Sequence, residues 1–168
     1  ATTFTNVVDA GGATSFEIPN GAGGTTVNAT GEVCVDSTSG TVNFYDGTAE
    51  RVIQPIMSKS ITIEDVVTAE DISIFFTDDA ITITKIVAVC TGSSPSVLTF
   101  NRHHTDRNNA GNLVVTAGNT ITSTTTGSVI TSFNDATVPA DSFIWLETTT
   151  VSGTIDSLHV TIFYRQDP

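Results

Sequence analysis

Between Ile72 and Arg102, apolar and polar side chains alternate with a period of two over a longer run than elsewhere in the chain. Ile72, Ile74 and Phe76 fall on one face of an extended segment; Ser73 and Thr77 fall on the other, with Phe75 between them. After Asp78-Asp79 the alternation resumes as Ile81-Thr82-Ile83-Thr84, changes phase at Lys85-Ile86, and continues through Val87 and Val89. Period-two alternation of this length predicts half-buried strands. The change of phase predicts a β-bulge, or a length of strand buried on both faces.

The same pattern, broken by turn residues every ten or so positions, recurs through the second two thirds of the chain. Ile61 and Ile63 predict a first strand, followed by an acidic connection through Glu64-Asp65 and Glu70-Asp71. Thr91-Gly92-Ser93-Ser94-Pro95 and Ser152-Gly153 predict turns, because Pro cannot serve a central ladder and Gly accepts positive φ. Val97 to His103 predicts a strand with Leu98 and Phe100 on one face. Phe143 to Leu146, apolar on both faces, predicts a central strand, and Leu158, Val160, Ile162 and Tyr164 predict a last one. Upstream, Val33 and Val35, then Ser37 to Gly40, then Val42, Phe44 and Tyr45 predict a β-hairpin, with a further reversal at Asp46-Gly47. The first thirty residues are rich in Gly, Thr, Ala and Asn, with isolated apolar residues at Phe4, Val7, Phe16 and Ile18. Such a stretch buries too little against itself to order alone. The expected fold is therefore all-β: a jelly-roll-like two-sheet sandwich over 57–168, a small β-hairpin segment over 32–56, and a flexible extended arm over 1–31.

Composition narrows the class. The 168 residues suffice for one domain with a core, and only 14% are charged, fewer than long amphipathic helices use. Six basic residues against eighteen acidic ones leave a formal charge of −12, so the clustered Lys and Arg that neutralise phosphates are absent and nucleic acid is not an expected partner. No apolar run reaches the length of a membrane span. Cys34 and Cys90 are far apart and outside any C-x-x-C, which predicts buried thiols, with a single disulfide as the alternative.

Candidate chemistry concentrates in Asn101-Arg102-His103-His104-Thr105-Asp106-Arg107-Asn108-Asn109. Adjacent histidines on a strand point to opposite faces, so His103 and His104 cannot share an ion without distortion. The favoured reading is structural: Asp106 pairs with Arg102 or Arg107, and the asparagines close a turn. The acidic pairs Glu64-Asp65, Glu70-Asp71 and Asp78-Asp79 lack the spacing of a calcium loop, and no serine sits in a nucleophile-elbow context. Trp145 lies within an apolar strand and is expected in the core. Tyr45, beside a turn, is the better exposed aromatic. No catalytic, cofactor-binding or metal-binding residue is expected, and the chain is read as no enzyme.

Two groups of motifs carry a resemblance. Gly31-Glu32-Val33-Cys34-Val35-Asp36-Ser37-Thr38-Ser39-Gly40, continuing to Phe44-Tyr45-Asp46-Gly47-Thr48, resembles a hairpin frequent in structural proteins of tailed bacteriophages. Glu70-Asp71-Ile72, Phe75-Phe76-Thr77-Asp78, Arg102 to Arg107, Ser132 to Asp135 and Phe143 to Thr148 resemble β-rich phage virion proteins. The resemblance implies a virion component. Among virion roles, size and the arm point to a capsid decoration (cement) protein on the capsid exterior, binding the major capsid protein as a homo-oligomer, dimer or trimer. Phe4, Val7, Phe16, Ile18, Phe44 and Tyr45 are the expected partner-binding residues. The alternative is a fibre or spike module that binds a host-surface glycan through loops at Arg102 to Asn112 and Asn134 to Ala140.

Overall fold

A strand of 24 residues rises roughly 80 Å if straight, whereas a unit of some hundred residues has a radius of gyration of only about 13 Å. The computed structural model, which describes residues 20–21, 30–36, 38, 41–122 and 124–167, contains two such strands. The chain divides into two compact units, one within Ala1–Gln54 and the other Pro55–Asp167.

In the larger unit, β7 (Ile81–His104) and β12 (Ser142–Gln166) form one antiparallel ladder from Ile81↔Gln166 to His104↔Phe143. The ladder shifts register three times in its middle, between Thr148 and Thr150, Ser152 and Thr154, and Ile155 and Ser157. There Thr91 to Ser94 are all exposed, and Gly92, Ser94 and Gly153 take φ of +133°, +51° and +77°. The ribbon bends at this point and doubles over, so that each half becomes the centre of one layer. In the first layer, the initial half of β7 and the final half of β12 are flanked by β5 (Met57–Glu64) on one side. β10 (Ser128–Ile130) and β11 (Thr137–Val138) flank it on the other. In the second layer, β6 (Asp71–Thr77) flanks β12 while β8 (Asn112–Leu113) and β9 (Asn119–Ile121) flank β7. Contacts between layers include the Phe75 ring of β6, stacked on Tyr164 at 5.3 Å, and the Cys90 thiol, which donates to the Ile121 carbonyl of β9 at 3.5 Å. The result is an all-β sandwich without helices among the described residues, so no helix there is long and apolar enough to cross a membrane.

The alternation read from sequence sets the two inner faces. Ile81, Ile83, Ile86, Ala88 and Cys90 are buried along β7, opposite Leu158, Val160, Ile162 and Tyr164 on β12. The predicted change of phase is a bulge: Phe163 pairs with Lys85 and Tyr164 with Ile83, leaving Thr84 as the extra residue. A second bulge, at Ile74, was not expected. It lies where Trp145 pairs with Ser73 and Ile144 with Phe75, and it reverses the phase of β6. Phe75 therefore turns inward and Phe76, expected on the face of Ile72, is 50% exposed against Phe143. The expected turns at Thr91–Pro95 and Ser152–Gly153 are likewise corrected: both are bends within continuous strands, the ladder closing again at Ser96↔Ser152. Cys34 and Cys90 are both buried and form no disulfide.

In the smaller unit, β1 (Asn20–Gly21) lies parallel to β2 (Val33–Asp36), which continues antiparallel into β3 (Thr41–Tyr45) and β4 (Glu50–Val52). The reversal expected at Asp46-Gly47 is present. The Asp46 carboxylate accepts the Thr48 and Ala49 amides at 2.8 Å each and pairs with Arg51 at 2.7 Å. The Ala49 amide, then Arg51, then the Thr48 amide hold its pKa down to about 2.

The bend makes a stability prediction. A Cβ at Gly153 would stand 2.1 Å from the Ser94 carbonyl oxygen at φ +77°, so Gly153→Ala combines backbone strain with a collision against the partner strand. Gly153→Ala is expected to lower unfolding free energy by roughly 3 kcal/mol in denaturant titrations. Gly127→Ala, whose nearest neighbour would lie at 3.2 Å, is expected to cost only about 1 kcal/mol. Equal losses would show that the bend tolerates a side chain.

Candidate functional site

The stretch with the most ionisable groups leaves the end of β7 and folds back over the outer face of the second layer. Cross-strand registry puts Arg102 beside Trp145, Ser73 beside Trp145 on its other side, and Asp71 beside Glu147. Arg102 Nε donates to Glu147 Oε2 at 2.7 Å, while its Nη1 donates to the carbonyl of Ala110 at 2.8 Å. Glu147 uses its other oxygen to accept Trp145 Nε1 at 3.0 Å. Arg107 Cζ lies over the Trp145 ring, 4.4 Å from its centroid, and the side chain donates to Ser73 Oγ at 3.0 Å and to Asp71. A guanidinium over an indole face gains cation–π attraction as well as its two polar contacts.

The loop between Thr105 and Gly111 thus becomes a cover for Trp145, which is 1% exposed although it stands on an outer sheet face. Gly111 makes the closure possible: a Cβ there would meet Trp145 Cη2 at 2.3 Å. The loop is closed by its own side chains, as expected of the asparagines: Asp106 Oδ1 accepts the Asn108 amide at 2.9 Å, and Asn109 Oδ1 accepts the Gly111 amide at 3.1 Å. The expected pairing of Asp106 with Arg102 or Arg107 is corrected. Asp106 serves the turn, and the guanidiniums go to Glu147 and Asp71, whose cross-strand positions no local motif reveals. One local signal was available, since Trp145 and Glu147 stand two apart and hence on one face of a strand.

The two histidines diverge as adjacent strand residues must. His104 Nδ1 accepts the Asp106 amide at 2.9 Å, while His103 is 1% exposed in the interior. His103 Nε2 lies 3.3 Å from Asp135 Oδ2, and neither ring nitrogen makes a hydrogen bond among the described residues. Burial pulls the His103 pKa below its ordinary 6.5 and outweighs the carboxylate of Asp135, which pulls it up; the charge of His104 lowers it further. Beside the covered tryptophan, a shallow depression of about 340 Å³ is lined by Thr68 to Asp71 and Glu147 to Thr149. Two of its carboxylates, Asp71 and Glu147, are already engaged by arginines. Among the described residues no three His, Cys, Asp or Glu side chains gather as a metal site.

No family model matches the sequence, and no curated protein matches it. Among solved structures, it is similar to a chain of the cyanophage Pam1 capsid asymmetric unit, with a TM-score of 0.39 and 10% identity over 68% of this chain and 85% of that one. It is also similar to a chain in the structure of infectious bursal disease virus, Gt strain, with a TM-score of 0.33 and 12% identity over 74% of this chain and 42% of that one. At these values the likeness assigns no family.

Of the expected partner-binding residues, Phe4, Val7, Phe16 and Ile18 lie outside the described residues. Phe44 and Tyr45 are half-buried on β3, but as consecutive strand residues they face opposite sides of the sheet. Phe44 shares its face with Val33, Val35, Val42 and Ile53, of which Val33 is 40% and Ile53 57% exposed, and with Arg51, which stands directly opposite it on β4 and pairs with Asp46. Tyr45 shares the other face with Asn43 and Glu50. The two cannot belong to one contact patch on the sheet.

The His103 geometry has a pH consequence whose sign follows from burial. With the folded pKa depressed, the unfolded chain binds more protons just below pH 6.5, so the stability contribution is full above that value and falls as pH drops beneath it. Thermal or denaturant midpoints are expected to fall on acidification from pH 6.5, with a slope of up to about 1.4 kcal/mol per pH unit from this group. His103→Gln should flatten that portion of the profile. Stability that rises in the same window would mean that pairing with Asp135 dominates over burial.

Proposed function

We propose that this chain is a structural component of a virion, a capsid decoration (cement) protein on the exterior of a phage shell that binds the major capsid protein. The observation that carries this reading is the fate of the polar stretch at Asn101 to Asn109. Its guanidiniums and its aspartate hold a loop down over Trp145, and no converging set of ionisable groups is left there for turnover. A body of this kind contributes contact surface and mechanical continuity. The phage-like hairpin motif of Gly31 to Thr48 supports the same reading, as do the half-exposed apolar side chains of Val33, Phe44 and Ile53, which share their face with the ion-paired Arg51. Each bound copy adds binding energy between neighbouring shell subunits, so a shell carrying it withstands more internal pressure than a bare one. In this reading the anchors are Phe4, Val7, Phe16 and Ile18 of the arm, and Phe44 of the sheet.

The glycan-binding alternative asks the loops at Arg102 to Asn112 and Asn134 to Ala140 to line a shallow site; the side chains of the first are engaged around Trp145, and no specific observation favours it.

Binding of recombinant chain to bare shells of the phage that encodes it tests the proposal. The full chain is expected to occupy the shell at lattice-matched stoichiometry. Removing residues 1–28 should abolish occupancy, and Phe44→Asp should weaken it about tenfold or more, the cost of burying a charge in an apolar contact. Undiminished occupancy after the deletion would end the arm-anchor mechanism, and absence of the chain from purified particles would end the virion reading.

A further inference from the structure

We propose that the outer face of the first layer is a self-association surface and that its occupant is a second copy of this chain. This goes beyond the virion reading, because it concerns the chain in solution and uses none of the arm or of the Phe44 face. Four strands, β5, β12, β7 and β10, present the face side by side. Registry lines Ser60, Thr161, Val87 and Val129 into one row across it, and Thr62, His159 and Val89 into the next.

Three properties of these rows bear on the partner. The polar groups already satisfy one another: Ser60 Oγ and Thr161 Oγ1 are 2.8 Å apart, Thr161 Oγ1 and His159 Nε2 3.1 Å, and His159 Nδ1 and Thr62 Oγ1 2.8 Å. Covering an internally bonded hydroxyl ladder strips little water from unpartnered groups, so the desolvation cost stays small. The rest of the two rows is apolar, Val129 being 61% exposed and Val87 and Val89 half-buried, and the adjoining row adds Phe163 beneath the Lys85 ammonium at 4.1 Å.

The third property decides the occupant. In a chain with eighteen acidic residues and a formal charge of −12, two copies repel wherever carboxylates would meet. The two rows carry none; Glu64 stands at one end of the face and Asp167, hydrogen-bonded to Thr82, at the other. A basic partner would be drawn to the acidic remainder of the surface and away from this face. A copy of the same acidic chain is kept off the remainder and can approach here. Serine and threonine both donate and accept, so the rows are also self-complementary across a two-fold axis.

Strand spacing and rise give the face roughly 20 by 25 Å, hence about 1,000 Å² buried by a pair of copies, the lower end for a specific interface. The association is therefore weak and concentration-dependent.

Sedimentation velocity on the full chain over a range of concentrations tests it, with circular dichroism to confirm that each variant is folded. The unaltered chain is expected to dimerise with a dissociation constant on the order of micromolar, and more tightly at higher salt as the net charge is screened. Val129→Glu, at an exposed site where folding is not at stake, and Thr161→Glu should each weaken the dimer at least tenfold. Thr120→Glu, exposed on β9 of the other layer, should leave it unchanged. A chain that stays monomeric at every concentration, or a dimer that both face variants leave intact, overturns the inference. Neither result touches shell binding by the arm, so the two readings fail separately.

Discussion

The doubling of one long ribbon governs the larger unit. Two strands of 24 and 25 residues cannot lie straight within it, and the ladder between them is too extensive to give up. The chain keeps the pairing and concentrates the distortion: three register shifts, four exposed residues, and glycines at the two positions where a side chain would strike the partner backbone. Once the ribbon is folded over, the sandwich follows, because the face that was inside before the bend must remain inside after it. Cross-strand hydrogen bonds thus continue from one layer to the other without a separate connection, which ties the two layers more firmly than loops could.

The two inner faces nonetheless differ in chemistry. The first layer buries aliphatic residues almost throughout, whereas the second buries Thr99, Asn101, His103, Ser142 and Thr148 among its apolar residues. Several of these hold segments that have little ladder of their own. Thr148 Oγ1 donates to the Val67 carbonyl at 2.7 Å and accepts the Glu70 amide at 3.0 Å, which fixes the connection between β5 and β6. Thr99 Oγ1 donates to the Asn119 carbonyl at 3.2 Å, pinning the start of β9. In an apolar interior such bonds have no water to compete with them, so each specifies a position as well as contributing stability. Among the described residues Asn101 Nδ2 and His103 Nδ1 have no such partner, and His103 Nε2 faces only the Asp135 carboxylate at 3.3 Å, which makes that end of the layer the more costly one to bury.

How much of this could be read from the chain depended on the range of the interaction. Alternation is local, so the strands, the buried face of β7 and the bulge at Thr84 were legible, as was the Asp46-Gly47 reversal, whose bonds span at most five residues. The bulge at Ile74 was not, because nothing between Ile72 and Thr77 departs from an alternation that Phe75 and Phe76 satisfy equally well. The choice is made by β12, where Ile144, Trp145 and Leu146 are all buried and force the register to slip. Gly92 and Gly153 misled for a related reason: glycine beside serine marks a reversal in a short strand and a bend in a long one, and only the partner strand tells which. The partners of Arg102 and Arg107 lay 45 and 36 residues away, beyond any local motif.

Charge then joins structure to association. Of the six basic residues, Arg51, Arg102 and Arg107 sit in ion pairs and Lys85 lies over Phe163, so most of the positive charge is committed within the fold. Those pairs occupy three of eighteen carboxylates, and the remainder leave the surface strongly negative. A surface of that kind resists indiscriminate contact, since every approach between copies meets a repulsion of order 1 kcal/mol per close pair of charges even in water. Where carboxylates are missing the repulsion is weakest, and it is there, on the strand face that carries hydroxyls, valines and a single ammonium, that the proposed contact between copies would meet the least resistance.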